Sequence, residues 1–183
     1  AVVVDRDGYA YVTGVTMSAN FPVSGSAYQK TYAGAGGNRS MDGSSTPTYQ
    51  SGDVFVAKLS PDGSQLPLAT FLGGKLDDAP SAIAIDTSGA IYVAGGTLSS
   101  DFPTTAGAYQ RTYKGYASEG FDLARMGDAF AAKLSSDMSS LLYSTYLGGA
   151  RNEAALGMAL GGDGSLHLTG ATTSTDFPTT SGA

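Results

Sequence analysis

The stretch SAIAIDTSGAIYVAGGTLSSDFPTT, residues 81–105, decides the reading of this chain because it is the part that occurs three times. Its relatives are AVVVDRDGYAYVTGVTMSANFPVS at 1–24 and LGMALGGDGSLHLTGATTSTDFPTT at 156–180. Phe21, Phe102 and Phe177 are one residue of one repeated unit, at intervals of 81 and 75 residues. A period of this kind marks a repeat architecture, in which each unit completes its burial against its neighbours.

A second block fixes the register. DVFVAKLSPDGSQLPLATFLGG (53–74) and DAFAAKLSSDMSSLLYSTYLGG (128–149) agree at 13 of 22 positions with an offset of 75. The six extra residues of the first unit therefore lie between Tyr32 and Asp53. An insertion that leaves both flanks in register is expected to be a loop.

Composition narrows the function classes. The 183 residues, 42% of them apolar, suffice for a core of one ordinary domain. Glycine, 26 of 183, is about twice the roughly 7% usual in soluble proteins, and charged residues at 14% fall below the usual ~25%. Many tight turns and few solvated helix faces follow. Without cysteine there is no disulfide framework and no thiolate metal site. A net charge of −6 argues against a nucleic-acid partner, which needs clustered Lys and Arg. No apolar run approaches the ~18 residues of a membrane span. The chain opens on AVVVD without an initiator Met or leader and stops inside a repeat, so both ends read as cut.

Each unit carries four short apolar runs bounded by turn residues; in the second they are 81–86, 90–97, 128–135 and 141–148. Runs of this length, rich in Val, Ile, Tyr and Thr and separated by Gly or Asp, predict strands and hairpins. Helical periodicity is missing, apart from room for a turn or two at 117–126. Val2-Val3-Val4 and Ala82-Ile83-Ala84-Ile85 do not alternate, which predicts protein on both faces of that strand. A crowded, doubly covered strand of small residues suits the innermost strand of a blade. The expected fold is therefore all-β: a partial β-propeller of two four-stranded antiparallel blades plus half of a third, with long loop insertions. Blade one spans 1–74 with an insertion about 17–52, blade two spans 75–149 with an insertion about 98–127, and 150–183 is a truncated third. In each blade the first run lies nearest the axis and the fourth outermost.

The unit resembles the bacterial SBBP repeat, the seven-bladed β-propeller repeat. The resemblance rests on Asp128-Ala129-Phe130 with Ala132-Lys133-Leu134, on residues 143–149 (YSTYLGG), and on residues 101–105 (DFPTT) with Gly107-Ala108-Tyr109-Gln110. It implies an exported or cell-surface bacterial protein in which the propeller is a scaffold or interaction module without a common catalytic residue. The chain departs from the pattern in its insertions after Tyr32 and Tyr113 and in Gly161, which stands where Asp5 and Asp86 stand.

Candidate chemistry is sparse. His167, the single histidine, aligns with Tyr11 and Tyr92 inside the second strand and has no partner for acid/base work, so a packing or rim position is expected. Asp5-Arg6-Asp7-Gly8, Asp62-Gly63 and Asp163-Gly164 suit turns, and no loop has calcium-binding spacing. No metal or cofactor is expected. Asp77-Asp78 and Asn152-Glu153 follow the Gly-Gly pairs, where recurrence points to backbone N–H acceptance rather than to a catalytic pair. Phe102-Pro103 and its copies should plug a loop against the blade.

The insertions hold the functional prospect. Tyr109, Arg111, Tyr113, Tyr116, Phe121 and Arg125 are the candidate ligand-binding residues, since aromatic and Arg side chains on loops furnish recognition surfaces. The repetition of the tyrosines equally suits packing at the loop base. The expected function is a non-catalytic binding or scaffold module for a glycan or protein. The alternatives are part of a propeller hydrolase or lyase acting on extracellular polysaccharide, with Asp77, Asp78 and Glu153 as its acids, and a self-assembling lectin. The expected partners are the remaining blades of a longer chain or copies of the chain itself.

Overall fold

Five hairpins set the local structure. Each turns through one residue with positive φ: Gly8 (84°), Gly63 (70°), Gly89 (82°), Gly164 (83°) and, alone among the described non-glycine residues, Met138 (56°). Glycine takes this conformation freely, whereas a side chain there is strained. In the same turns Asp5 Oδ1 accepts the amides of Asp7 (3.0 Å) and Tyr9 (2.9 Å), and Asp86 Oδ1 accepts those of Ser88 and Ala90. The turn carboxylates are thus engaged by backbone, as Asx-turn chemistry requires.

The computed structural model describes residues 1–34, 52–115 and 127–182. Its elements are β1 (Val2–Val4), β2 (Ala10–Thr16), β3 (Asp53–Leu59), β4 (Leu68–Leu72), β5 (Asp78–Ile85), β6 (Ile91–Thr97), β7 (Asp128–Leu134), β8 (Leu141–Leu147), β9 (Glu153–Leu160) and β10 (Leu166–Thr172). The fold is all-β, with no helix among the described residues; the possible turn at 117–126 lies outside them. Three antiparallel sheets form, of order β1-β2-β3-β4, β5-β6-β7-β8 and β10-β9.

The two large sheets share one register. Gly14 stands opposite Phe55 and Gly95 opposite Phe130, while Phe55 faces Phe71 and Phe130 faces Tyr146. Phe21 lies over the first set at 4.7 Å from Phe55, and Phe102 over the second at 4.6 Å from Phe130. A Cβ on Gly14 would stand 2.8 Å from the Phe55 ring, so this glycine makes room for the aromatic cluster.

Sheets pack face to face. β5 lies against β1, β2 and β3 of the first sheet and against β9, which also covers β6 and β7. Between the first two sheets Tyr11, Val54, Val56 and Leu72 meet Ile91, Val93, Phe102, Phe130 and Tyr146 in the main core. Between the second sheet and β9–β10 the contact is of small residues, Ala94, Ala129 and Ala155, with Leu147, Met158 and Leu168 partly buried around them.

β5 lies between the first sheet and β9 and is half-buried along nearly its whole length, while β6, flanked by β5 and β7, is buried throughout. Two expectations require correction. In β1, Val2 and Val4 are 63% and 58% exposed, so that strand is not covered on both faces. β5 also begins three residues before the apolar run, at Asp78, because Asp78, Ala79 and Pro80 pair with Thr97, Gly96 and Gly95 ahead of a bulge.

Candidate functional site

The repeated polar residues converge on a buried knot where each chain crossing meets its sheet. In the second sheet Gln110 ties four pieces together. Its amide N–H donates to Thr145 Oγ1 (2.9 Å), its Nε2 donates to Asp128 Oδ2 (2.8 Å) and to the Thr112 carbonyl (3.0 Å), and its Oε1 accepts Gly148 N–H (3.0 Å). Gln29 repeats this with Thr70, Asp53, Thr31 and Gly73. Asp128 Oδ2 also accepts Lys114 N–H and Asp53 Oδ2 accepts Ala33 N–H, so each knot clamps the start of an insertion.

The acidic residue after each Gly-Gly pair completes the knot. Asp78 accepts Gly74 N–H (2.7 Å), Ser99 Oγ–H (3.1 Å) and the Thr97 hydroxyl. Glu153 accepts Gly149 N–H (2.9 Å) and Thr172 Oγ–H (2.7 Å). These are the backbone-accepting roles expected from their recurrence. Both residues are buried, and so are Asp53 and Asp128. A Cβ on Gly148 would lie 2.5 Å from Asp128 Oδ1 and 2.6 Å from Glu153 Oε2, so glycine lets the two carboxyl groups approach. Asp53 Oδ1 and Asp128 Oδ1 have no hydrogen-bond partner. Burial raises Asp78 to about 7 against its hydrogen bonds. Burial, with Glu153 adding repulsion, raises Asp128 to about 6.

The DFPTT segment locks the crossing from the other side. Asp101 Oδ1 accepts Lys75 N–H and Ser99 Oγ accepts Leu76 N–H; Asp176 and Ser174 do the same for Ala150 and Arg151. Phe102 is 3% exposed beneath this lock, the plug expected of it. Asp101, Gln110 and Asp128 stand in the motifs that carry the family resemblance, but it is the fold that brings them, with Thr97, around one crossing. Their recurrence as Asp176, Gln29, Thr172 and Asp53 was the available signal.

The sequence-predicted binding residues separate. Tyr109, 68% exposed, and the exposed Arg111 line an open cleft of about 360 Å³ with Thr112, Lys114 and Pro178. Tyr113 does not join them. Its ring sits edge-on to Tyr146 at 5.8 Å, its hydroxyl is buried without a partner, and burial together with Asp128 and Glu153 pushes its pKa up to about 12. Tyr116, Phe121 and Arg125 lie outside the described residues. His167 sits exposed on β10 at 2.9 Å from Ser165 Oγ, whereas its counterparts Tyr11 and Tyr92 are buried. Among the described residues no three acidic or histidine side chains converge as metal ligands.

No family model matches the chain, and no curated protein matches it.

Proposed function

We propose that the chain is a non-catalytic scaffold and recognition module of the SBBP-repeat kind, forming blades of a β-propeller in an exported bacterial surface protein. Its partners are the remaining blades of a longer chain or further copies, and its ligand is a glycan or protein met by the loop-bearing face. The observation that carries this reading is the use of one polar knot twice. Two sheets of like strand order are stacked and pinned at the same atoms, and each insertion leaves from its own knot, the second beside the cleft of Tyr109 and Arg111. A rigid frame with loops clamped at their roots is an arrangement suited to recognition. The hydrolase or lyase alternative draws no support from the knots, because Asp78 and Glu153 hold backbone amides and are closed to solvent.

The test is a glycan array probed with the chain beside its Tyr109→Ala/Arg111→Ala double variant, with light scattering to give the mass. Retention of a defined glycan set by the parent and its loss at least tenfold in the variant supports the reading. Cleavage of an extracellular polysaccharide, or equal binding by both proteins, overturns it.

A further inference from the structure

We propose that the ligand of the loop-bearing face is a linear glycan carrying carboxylate groups, with Arg111 and Lys114 binding one uronate and Lys30 binding another. The inference rests on the preceding reading for the face and adds the chemistry of what the face binds.

The knot glutamines build the position. Gln110 Nε2 donates to the Thr112 carbonyl (3.0 Å) and Gln29 Nε2 to the Thr31 carbonyl (3.2 Å). Each glutamine thus closes a small ring onto the residue two places on, and the side chain between, Arg111 or Lys30, is exposed at its tip. The ring is anchored, since Oε1 of the same glutamine accepts Gly148 N–H in one unit and Gly73 N–H in the other. Tyr-Gln-Lys-Thr-Tyr at 28–32 and Tyr-Gln-Arg-Thr-Tyr at 109–113 are therefore one device used twice, with the cation kept. Packing of a neighbouring sheet does not cover it. Tyr28 N–H donates to the Met138 carbonyl at 2.8 Å, yet Tyr28 is 36% exposed and Lys30 is exposed beside it.

Charge selects the ligand. In a chain of net charge −6, Lys58, Lys75 and Lys133 are each bound to an aspartate, whereas Lys30, Arg111 and Lys114 have no acidic partner among the described residues. Asp128, the acid beneath the cleft, is buried and holds Gln110 Nε2 and Lys114 N–H. Arg111 and Lys114 thus face one open cleft of about 360 Å³ with their charges unmatched. The guanidinium fork matches a carboxylate through two parallel hydrogen bonds, and the ammonium adds a point charge. Tyr109, 68% exposed in the same cleft, offers an aromatic face to the C–H side of a sugar ring. An acidic peptide fits less well, because the lining holds no strand to pair with and only Tyr109 and Pro178 as apolar groups.

The test titrates the 183-residue chain with oligogalacturonates of increasing length, beside their carboxyl-reduced forms, a sulfated oligosaccharide and poly-glutamate. Expected is saturable binding that added salt weakens. Arg111→Gln/Lys114→Gln should weaken it at least about tenfold, while Arg6→Gln/Arg151→Gln, which removes the same charge from exposed places elsewhere, should not. Both double variants should keep the parent Tm. Longer oligomers should bind the parent more tightly, and Lys30→Gln should remove that gain. Equal affinity for the carboxyl-reduced oligomers, tighter binding of the sulfated glycan or of poly-glutamate, equal losses in the two double variants, or an affinity for long oligomers that Lys30→Gln leaves unchanged overturns the proposal. Binding of a carboxyl-reduced glycan that Tyr109→Ala abolishes overturns it and leaves the recognition reading standing. Cleavage of the uronate oligomer that depends on Arg111 upholds the ligand and overturns the non-catalytic reading.

Discussion

The interface between the first and second sheets and the interface between the second sheet and β9–β10 come from the same repeat, yet one holds Phe102, Phe130, Met138 and Tyr146 fully buried and the other closes on alanines. Large rings reach an interface from the third and fourth strands of the later sheet. Where β7 and β8 exist, Phe102 is 3% exposed; where only β9 and β10 exist, Phe177 is half-buried beside a cavity. The lesson is that cohesion in this architecture is delivered by the second half of each unit to the unit before it.

The largest break in this comparison is Phe130→Ala, which empties the better interface and should cost about 3–5 kcal/mol by chemical denaturation. Gly148→Ala attacks the knot instead. Its Cβ must displace Asp128 or Glu153, and a loss of about 2 kcal/mol is expected, with the Asp128 bond to Gln110 weakened.

Met138 sharpens the contrast between hairpins. The first-sheet counterpart is Gly63, which has open space around it, whereas Met138 is fully buried and its carbonyl accepts Tyr28 N–H across the sheets at 2.8 Å. Met138→Gly relieves roughly 1 kcal/mol of left-handed strain but removes a buried side chain worth about 2–5 kcal/mol. The cavity term wins, and net destabilisation of about 1–4 kcal/mol is expected in thermal melts.

The knots add a pH dependence. Asp78 and Asp128 have folded-state pKa values raised to about 7 and about 6 from 3.8, so the folded chain binds more protons than the unfolded one between those values. Their contribution is intact below pH ~4 and is lost as pH rises towards 7. The exposed turn residues Asp62 and Asp137, held down to about 2 first by the Ser60 and Ser135 hydroxyls, act in the opposite sense and only in acid. Denaturation midpoints should fall between pH 4 and 7, and Asp78→Asn should flatten the slope; an unchanged slope would remove Asp78 as its source. Phe177→Ala should have the smallest effect, within about 1 kcal/mol, since the ring is only half-buried. A cost equal to that of Phe130→Ala would abolish the comparison.

Strand positions, hairpin turns and the Phe102 plug were legible because each depends on local pattern: Asp and Gly at turns, apolar runs, a recurring Phe-Pro. The crowding of β5 between the first sheet and β9 was legible in the small residues Ala82 and Ala84, whereas the complete burial of β6 was not, because it depends also on the strands that flank it. The knot was invisible as a unit, since Gln110, Asp128, Gly148 and Glu153 are brought together by pairing between strands distant in sequence. Gly161 shows the converse. A Cβ there would meet Ser165 Oγ and Asp163 Oδ1 (2.7 Å), so the missing aspartate makes way for a different turn network.

One consequence of the knot concerns engineering. Gly115 and Gly127 touch, a Cβ on the former falling 2.6 Å from the carbonyl carbon of the latter, and both adjoin Asp128, whose carboxylate is fixed by Gln110. The two roots of the insertion are therefore joined before the insertion begins. Closing a longer loop across such roots costs only about 0.6 kcal/mol per doubling of length. The second unit thus offers a cloning port, where foreign peptides of varied length can be displayed while the sheets keep their register.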